Sequence, residues 1–265
     1  MQLENEMVVP RALRPWISTM SLAAIGESQG EQLVVDEPDP ATTLTVRVDE
    51  DGRSELVLMG PRTQALYHFG RPGPRCIKMR IRHGRAKSLV NGPLHGIVDG
   101  LVPWNGGPGA LDDPQAGWLR RLRGHDGMAV APALIQQLGE VLKGRMATES
   151  DDDAARHDLV VRAAKILGGA DAESIQNTAV RLNTSERHLR TVFADVVGMS
   201  PKRFSRIDRV RRVLRHIGEK DLAHLAVEAG YYDQSHMTAE FRRVMGVTPA
   251  AYLAGRLPAA ATCGS

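Results

Sequence analysis

Cysteine is scarce in this chain, and its scarcity excludes several classes of protein. The 265 residues include two cysteines, Cys76 and Cys263, and aromatic residues make up only 4%. Two distant cysteines are too few for a disulfide framework, and they lack the spacing of zinc ligands. We therefore expect a protein of a reducing compartment that holds no metal ion or other cofactor.

Long apolar runs are absent as well. No segment approaches the roughly 20 apolar residues that a membrane span requires. The first residues, MQLENEMVVPRALRPW, contain early acidic side chains and no apolar segment typical of a secretory signal. These absences predict a cytoplasmic protein that makes no use of a membrane.

Catalytic patterns are also missing. Three histidines of the first half, His68, His83 and His95, are scattered, and no H-x-H pair of the kind that binds metal on adjoining strands occurs. No nucleophile elbow, phosphate-binding loop or paired-carboxylate pattern appears. We therefore expect that the protein is not an enzyme and has no catalytic residues.

The charge of the chain is unevenly distributed. The net charge is +3, but residues 157–256 hold 16 Lys/Arg and 11 Asp/Glu, a net +5, which leaves −2 for the remainder. A basic C-terminal half beside a slightly acidic N-terminal half is typical of a protein that binds nucleic acid with one domain only.

The N-terminal half is predicted to be rich in β-structure. Short runs of Val, Leu and Ile, separated by turn residues, predict five strands: EQLVVDE, TTLTVRV, SELVLMG, QALYHF and CIKMRIR, between residues 31 and 82. LTVRV and KMRIR alternate apolar with polar residues, which predicts sheets with one face in water. A loop over 103–114 and helices at about 115–123 and 132–146 are expected to follow.

An internal repeat dominates the C-terminal half. TSERHLRTVFADVVGMSP, residues 184–201, matches YDQSHMTAEFRRVMGVTP, residues 232–249, at a constant offset of 48. Each copy places a capping residue before an amphipathic helix, a glycine after it, and Ser-Pro or Thr-Pro at the start of the next helix. A short apolar helix precedes each copy. This pattern predicts two helix-turn-helix units whose second helices are exposed, as in proteins that insert such a helix into a major groove.

A basic helix is predicted between the two copies, over 201–217. Five residues at helical spacing form one apolar stripe: Phe204, Ile207, Val210, Leu214 and Ile217. The other faces carry one lysine and six arginines, for which a phosphate backbone is the expected partner.

The segment from about 157 to 255 resembles the DNA-binding domain of the AraC/XylS family of transcription regulators. SERHLRTVF, GMSPKRF, RVRRVL and AHLAVEAGYYDQSHMTAEFRRVMGVTPAAY carry this resemblance. It implies a fold in which a central helix joins two helix-turn-helix units, whose recognition helices enter successive segments of the major groove. The chain departs from the family pattern at Thr191 and Ala239, where arginine is frequent, and at Met237, where an aromatic residue is usual.

The resemblance also implies roles for individual residues. The base-reading residues would be Arg187, Arg190 and Thr191 in the first unit and Gln234, Ser235 and His236 in the second. The DNA backbone would be contacted by Lys202, Arg203, Arg206, Arg242 and Arg243. Double-stranded DNA is the expected partner, and the resemblance implies RNA polymerase as a second one. The resemblance also implies an activator whose sensing or dimerisation domain precedes the DNA-binding domain in the chain.

The sequence as a whole predicts an α+β chain with two domains. Residues 1–146 form a β-rich, barrel- or sandwich-like sensing or dimerisation domain with two helices at its end. Residues 147–156 form a linker, 157–256 the all-α DNA-binding domain, and 257–265 a flexible tail. Within the DNA-binding domain, the units span about 172–198 and 221–246, on either side of the joining helix.

The function of the N-terminal half has several interpretations. A small-molecule pocket would use Trp16, Tyr67, His68 and Trp104, although these residues also suit a core. Helix 132–146 would pair with its copy in a homodimer through Leu134, Leu138, Val141 and Leu142, or pack on its own sheet. Alternatively, the N-terminal half is a protein-interaction module instead of a sensor. For the whole chain, the alternative is a nonspecific architectural DNA-binding protein.

Overall fold

The structure is a computed structural model. It describes residues 2–25, 32–48, 54–70, 75–90, 92–104, 127–169 and 172–260. In these ranges a β-rich N-terminal part is followed by an all-α C-terminal part, which confirms the predicted fold class. The helix predicted at 115–123, most of the loop predicted at 103–114 and the end of the tail lie outside the described residues.

Eight β-strands form in the described part of the N-terminal half. They are β1 Gln2–Met7, β2 Ile17–Ile25, β3 Gln32–Asp36, β4 Thr43–Val48, β5 Ser54–Met59, β6 Leu66–Gly70, β7 Arg75–Ile81 and β8 Leu101–Pro103. The five predicted strands are β3 to β7. The prediction missed β1, β2 and β8, because β1 is largely polar, β2 is rich in small residues and β8 has only three residues.

The strands form two antiparallel sheets. The larger sheet has the order β1-β2-β7-β4-β5-β8, and the smaller one consists of β3 and β6. Alternation along β2, β4 and β7 directs apolar residues to one face of the larger sheet and polar residues such as Thr19, Lys78 and Arg80 to the other.

The apolar face of the larger sheet packs against helix α1, Gly127–Ala147. This helix begins five residues before the predicted start at 132. Leu138 and Leu142 are fully buried in the core beneath the sheet, and Val141 packs against that core. The helix therefore packs on its own sheet through these three residues, and Leu134, the fourth residue of the predicted pairing face, lies outside the described side chains.

The polar face of the larger sheet is only partly in water. On β7, Lys78 and Arg80 alternate with buried Met79 and Ile81, as predicted. On β4, however, Thr45 is buried and its hydroxyl donates to Met59 Sδ at 3.5 Å. The prediction of a solvated face is confirmed at Arg47, which is exposed, and was wrong at Thr45, because the sequence pattern does not show what covers a strand.

The described part of the C-terminal half contains seven further helices. They are α2 Asp151–Leu167, α3 Ile175–Arg181, α4 Glu186–Val197, α5 Pro201–His216, α6 Leu222–Glu228, α7 Gln234–Met245 and α8 Pro249–Leu253. Helix α2 begins inside the predicted linker 147–156, at the N-cap Ser150. None of the helices in the described ranges combines the length and apolar character that crossing a membrane requires.

Helix α5 is shared between two hydrophobic cores. Phe204 and Ile207, in its first half, pack with α2, α3 and α4. Val210, Val213 and Leu214, in its second half, pack with α6 and α7. The apolar stripe that the spacing predicts for α5 therefore packs into the cores of both units and joins them.

Candidate nucleic-acid interface

The turn between α3 and α4 is fixed by hydrogen bonds at the end of α3. The Thr184 amide donates to the Ala179 carbonyl, and the Asn183 amide donates to the Val180 carbonyl, each at 3.0 Å. Asn183 has a φ of 52°, the left-handed conformation that this type of helix ending requires. The pattern ends α3 sharply and redirects the chain into α4.

The turn between α6 and α7 repeats this geometry. The Tyr231 amide donates to the Ala226 carbonyl and the Gly230 amide to the Val227 carbonyl, each at 2.9 Å, and Gly230 has a φ of 78°. The turn holds five residues, 229–233, against four, 182–185, in the first unit. The additional residue places the Tyr232 side chain in solvent, where it is 92% exposed.

The second helix of each unit is capped at both ends. Ser185 accepts a hydrogen bond from the His188 amide at 3.1 Å, and Asp233 accepts one from the His236 amide at 2.7 Å. Gly198 and Gly246, with φ of 82° and 75°, end α4 and α7. Their buried faces hold the predicted residues: Leu189, Val192, Phe193 and Val196 in α4, and Met237, Phe241 and Val244 in α7.

The residues predicted to read bases in the first unit lie on the exposed face of α4. Arg187 has no side-chain partner among the described residues. Arg190 is paired with Glu186 one turn earlier, through Nε at 2.8 Å, and the Thr191 hydroxyl donates to the Arg187 carbonyl at 3.0 Å. Arg187 is thus the guanidinium of this face with the freest access to a ligand.

The corresponding residues of the second unit occupy the first turn of α7. Gln234, Ser235 and His236 are all exposed. The His236 ring packs edge-on against Tyr231 with ring centroids 5.3 Å apart. The structure therefore brings each predicted set of three onto the exposed surface of one helix.

The five cations predicted to contact the DNA backbone fall into two groups. Lys202 and Arg203 at the start of α5, and Arg242 and Arg243 near the end of α7, are exposed, and their side chains have no partner among the described residues. Arg206 differs, because its side chain is 22% exposed and its Nε lies 3.3 Å from Glu240 Oε1.

Glu240 is the residue of this interface that the sequence analysis missed. It lies on α7, its side chain is 12% exposed, and it pairs with Arg206 and with Arg209 Nη2, the latter at 2.9 Å. The Arg209 guanidinium also lies over the Tyr231 ring, 5.2 Å from its centroid. The repeat offered a signal, since the offset of 48 aligns Glu240 with the buried apolar Val192.

The four residues predicted for a small-molecule pocket lie apart. Trp16 and Trp104 belong to the core of the larger sheet, and Trp104 Nε1 donates to the Leu89 carbonyl at 2.8 Å. The Tyr67 hydroxyl donates to the Met245 carbonyl at 2.7 Å, and burial raises the pKa of Tyr67 to about 12. His68 lies 3.2 Å from Asp36, and this hydrogen bond raises the pKa of His68.

A cavity of about 400 Å³ is lined by Asp36, the partner of His68, but none of those four residues is among its described lining. It lies between the polar face of the larger sheet, strand β3 and helix α5. Its charged lining residues are Asp36, Glu37, Asp39, Arg62, Lys78, Arg80 and Arg211. Although burial would raise the pKa of Asp39, the Arg80 and Arg211 guanidinium groups hold it below its usual value.

The N-terminal region contacts both helix-turn-helix units. At the first unit, Lys87 Nζ lies 3.0 Å from Asp195 of α4, and the His83 ring packs edge-on against Phe204 of α5 at 5.0 Å. At the second unit, the Ala65 amide donates to the Val244 carbonyl at 2.9 Å, beside the Tyr67 bond. Arg211 of α5 lies 3.0 Å from Asp39.

Comparisons with known proteins agree with this geometry. A family model described as a helix-turn-helix domain matches residues 178–255. A search of curated proteins found no match. One similar solved structure is a transcriptional regulator with an AraC-type DNA-binding domain from Chromobacterium violaceum; the match has 19% identity and a TM-score of 0.35, and covers 39% of this chain and 96% of that chain. Another is ToxT from Vibrio cholerae O395; the match has 12% identity and a TM-score of 0.43, and covers 88% of this chain and 96% of that chain.

A third is the DNA-binding domain of AdpA in complex with a target DNA (24% identity, 38% and 90%, TM-score 0.33). The match of the family model covers both turns, both exposed helices and the helix that joins them. Residues 178–255 of this chain are therefore a helix-turn-helix domain, as the resemblance to the AraC/XylS family predicted.

Proposed function

We propose that this protein is a sequence-specific transcription regulator that binds double-stranded DNA with both helix-turn-helix units. The observation that supports this function best is the repeated arrangement of capped, exposed helices on one joining helix. In each repeat the buried face is apolar, apart from Glu240 in the second, and the exposed face carries side chains that can pair with base edges. Arg187 would read guanine and Gln234 adenine, with Arg190, Thr191, Ser235 and His236 beside them.

Four cations would hold the protein on the phosphate backbone. Lys202 and Arg203 are close to the end of α4, and Arg242 and Arg243 lie on α7 itself, so that each unit has one pair. Because backbone contacts fix the register while base contacts select the sequence, the two kinds of residue have separable effects on binding. Loss of a backbone cation weakens binding to every sequence and reduces the salt dependence of the affinity.

The function is tested by selecting bound sequences from a pool of random duplexes with the full-length protein at physiological salt. We expect a motif with two blocks about one helical turn apart. Arg187→Ala should blur one block and Gln234→Ala the other, which makes each variant the control for its counterpart. Enrichment of no motif, with equal binding to all duplexes, would instead indicate an architectural DNA-binding protein.

The direction of regulation is proposed from the resemblance to the AraC/XylS family. We expect an activator that contacts RNA polymerase. Transcription in vitro from a template that carries the selected motif upstream of a weak promoter should increase when the protein is added. A decrease at the same site would identify a repressor and would leave the DNA-binding function intact.

Control is proposed to act through the N-terminal region, because this region contacts both units. A small polar effector would enter the cavity beside Asp39 and compete for Arg80 and Arg211. Asp39→Asn weakens the same ion pairs without altering a residue on α4 or α7, so it should change the affinity for the selected duplex. An unchanged affinity would favour a dimerisation or protein-interaction role for the N-terminal region. Sedimentation of the free protein would then test for a homodimer.

A further inference from the structure

We propose that Glu240 is a specificity-determining residue, which acts as an internal counterion for Arg206 and Arg209 and keeps both away from DNA phosphates. This inference rests on the proposed function, and it concerns how strongly the protein binds DNA of the wrong sequence. It starts from the contrast between two sets of cations on the same surface. Four are exposed and have no partner in the described ranges, whereas Arg206 and Arg209 share one carboxylate.

The geometry holds both arginines in place. Glu240 uses one carboxylate oxygen for Arg206 Nε at 3.3 Å and the other for Arg209 Nη2 at 2.9 Å. Arg209 is held a second time by the Tyr231 ring. With the Glu240 side chain 12% exposed and those of Arg206 and Arg209 22% exposed, water screens these pairs less than it screens a fully exposed pair. A phosphate that approached either arginine would also meet the negative charge of Glu240.

The repeat shows that helix-turn-helix packing does not by itself require a carboxylate at this position. The equivalent residue of the first unit is Val192, which is buried in an apolar core. At this position the first unit therefore packs its second helix against the rest of the domain with apolar contacts. In the second unit the same inward position carries a charge, and that charge is directed at the basic joining helix.

The effect on specificity follows from how proteins bind the wrong DNA. Sequence-independent affinity comes from phosphate contacts, and each additional contact makes the logarithm of the affinity fall more steeply with the logarithm of the salt concentration, by about 0.9. On its target site the protein is held in one register by base contacts. On other sequences the protein binds in many registers, and in most of these registers an unpaired arginine contacts a phosphate. Pairing the two arginines internally therefore lowers binding to the wrong DNA more than binding to the target.

The test compares full-length wild-type protein and Glu240→Gln on two labelled duplexes, one with the selected motif and one with a scrambled sequence. On the scrambled duplex we expect the salt slope of Glu240→Gln to be steeper by about one contact, or about threefold in affinity between about 50 and 200 mM salt. The ratio of affinities for the selected and scrambled duplexes should fall. Glu140→Gln is the matched control: it changes the net charge equally but removes an exposed carboxylate of α1 that pairs with no cation among the described residues, so its slope should stay as in wild type.

Substitutions of Arg206 test whether a freed arginine causes the steeper salt slope of Glu240→Gln. Arg206→Gln alone should leave the salt slope unchanged, because the wild-type side chain is already neutralised. In the Glu240→Gln background the same substitution should return the slope to the wild-type value, because the Tyr231 ring still holds Arg209. If Glu240→Gln does not fold, Arg206→Gln alone still tests the proposal, since a slope flattened by one contact would show that Arg206 binds phosphate in the wild-type protein.

Three results would overturn the proposal. The first is a wild-type slope in a folded Glu240→Gln variant. The second is an equal loss of affinity on both duplexes with a lower melting temperature, which indicates a purely structural role. The third is an equally steep slope in Glu140→Gln, which would make the effect one of overall charge. Failure of the wild-type protein to prefer any sequence would instead refute the proposed function together with this inference.

Discussion

Adding a methyl group at Gly198 and at its repeat partner Gly246 should destabilise the protein by different amounts. Both glycines end a recognition helix with positive φ, 82° and 75°. An L-residue in this conformation costs about 1–2 kcal/mol, so Gly→Ala at either position carries at least that cost. The two positions differ in what surrounds the new methyl group.

At Gly198 the added carbon would lie 3.2 Å from the carbonyl carbon and oxygen of Leu94. These are backbone atoms of a short 3-10 helix, Leu94–Ile97, that belongs to the N-terminal region. Backbone cannot rotate away, so we add about 1–2 kcal/mol for the displacement, within the range of overpacked sites. At Gly246 the nearest atom is Pro258 Cγ at 3.5 Å, an ordinary contact.

We therefore expect Gly198→Ala to lower the free energy of unfolding by about 2–4 kcal/mol and Gly246→Ala by about 1–2 kcal/mol. The assay is guanidinium unfolding of both full-length variants, followed by far-ultraviolet circular dichroism, with midpoints compared at equal m-value. Equal losses would show that only the backbone conformation matters. They would refute the inference that the N-terminal region presses against the end of α4.

Three other changes test separate features of the structure. Arg187→Ala should reduce the free energy of binding by about 1–3 kcal/mol on the selected duplex and by less on a scrambled one. Lys202→Ala should weaken binding to both duplexes alike. Equal losses on both duplexes for Arg187→Ala would show that Arg187 does not read bases. Tyr67→Phe should lower the free energy of unfolding by about 1–2 kcal/mol in guanidinium titrations, because the buried Met245 carbonyl loses its donor; wild-type stability would contradict that contact. Burial and the nearby Arg80 lower the pKa of His83 to about 4. The unfolded chain, with an ordinary histidine pKa near 6.5, then binds a proton that the folded protein does not. The contribution of neutral His83 to the free energy of unfolding is fully present above pH ~6.5, and the free energy of unfolding falls by about 2–3 kcal/mol as the pH drops to ~4. His83→Gln should flatten this profile, and an unchanged profile would rule His83 out as its source.

The helix-turn-helix units were predictable because their geometry is local. Each helix begins at a side chain that accepts from an amide three residues later, as at Ser185 and Ser200. Each recognition helix ends at a glycine two residues before the next cap, as at Gly198. Such signals lie within a few positions of one another, so the sequence contains both partners side by side.

The candidate pocket was not predictable, because its residues meet only through long-range pairing. Trp16 and Trp104 have the polar tips that suit a binding site, but both rings lie in the core of the larger sheet. Tyr67 instead spans 178 positions to reach Met245. The cavity that does form is lined by charged residues of separate elements, such as Lys78 of β7 and Arg211 of α5, whose proximity depends on the fold as a whole.

Glu240 lies between these two cases. The stripe along α5 assigned Arg206 and Arg209 to the polar side of the helix, but a stripe does not say which neighbour faces a residue. The partner lies 34 positions further along the chain for Arg206. Alignment of the two repeats against each other would have found it, since a charge stands where the first copy has valine. Departures between copies thus identify interactions that the pattern common to both copies cannot.

The described part of the N-terminal region contacts α4 and α7 at their C-terminal ends, and the predicted base-reading residues of both helices are exposed. Lys87 and Leu94 meet the last turn of α4 and the glycine after it, while Tyr67 and Ala65 meet the last turn of α7. The two helices are therefore joined twice, once by α5 and once by the N-terminal region. A target with two blocks requires both helices to bind at the same time, so its affinity depends on how well their spacing matches the DNA. A shift in the N-terminal region should therefore change binding to the two-block target and leave binding to either block alone unaltered.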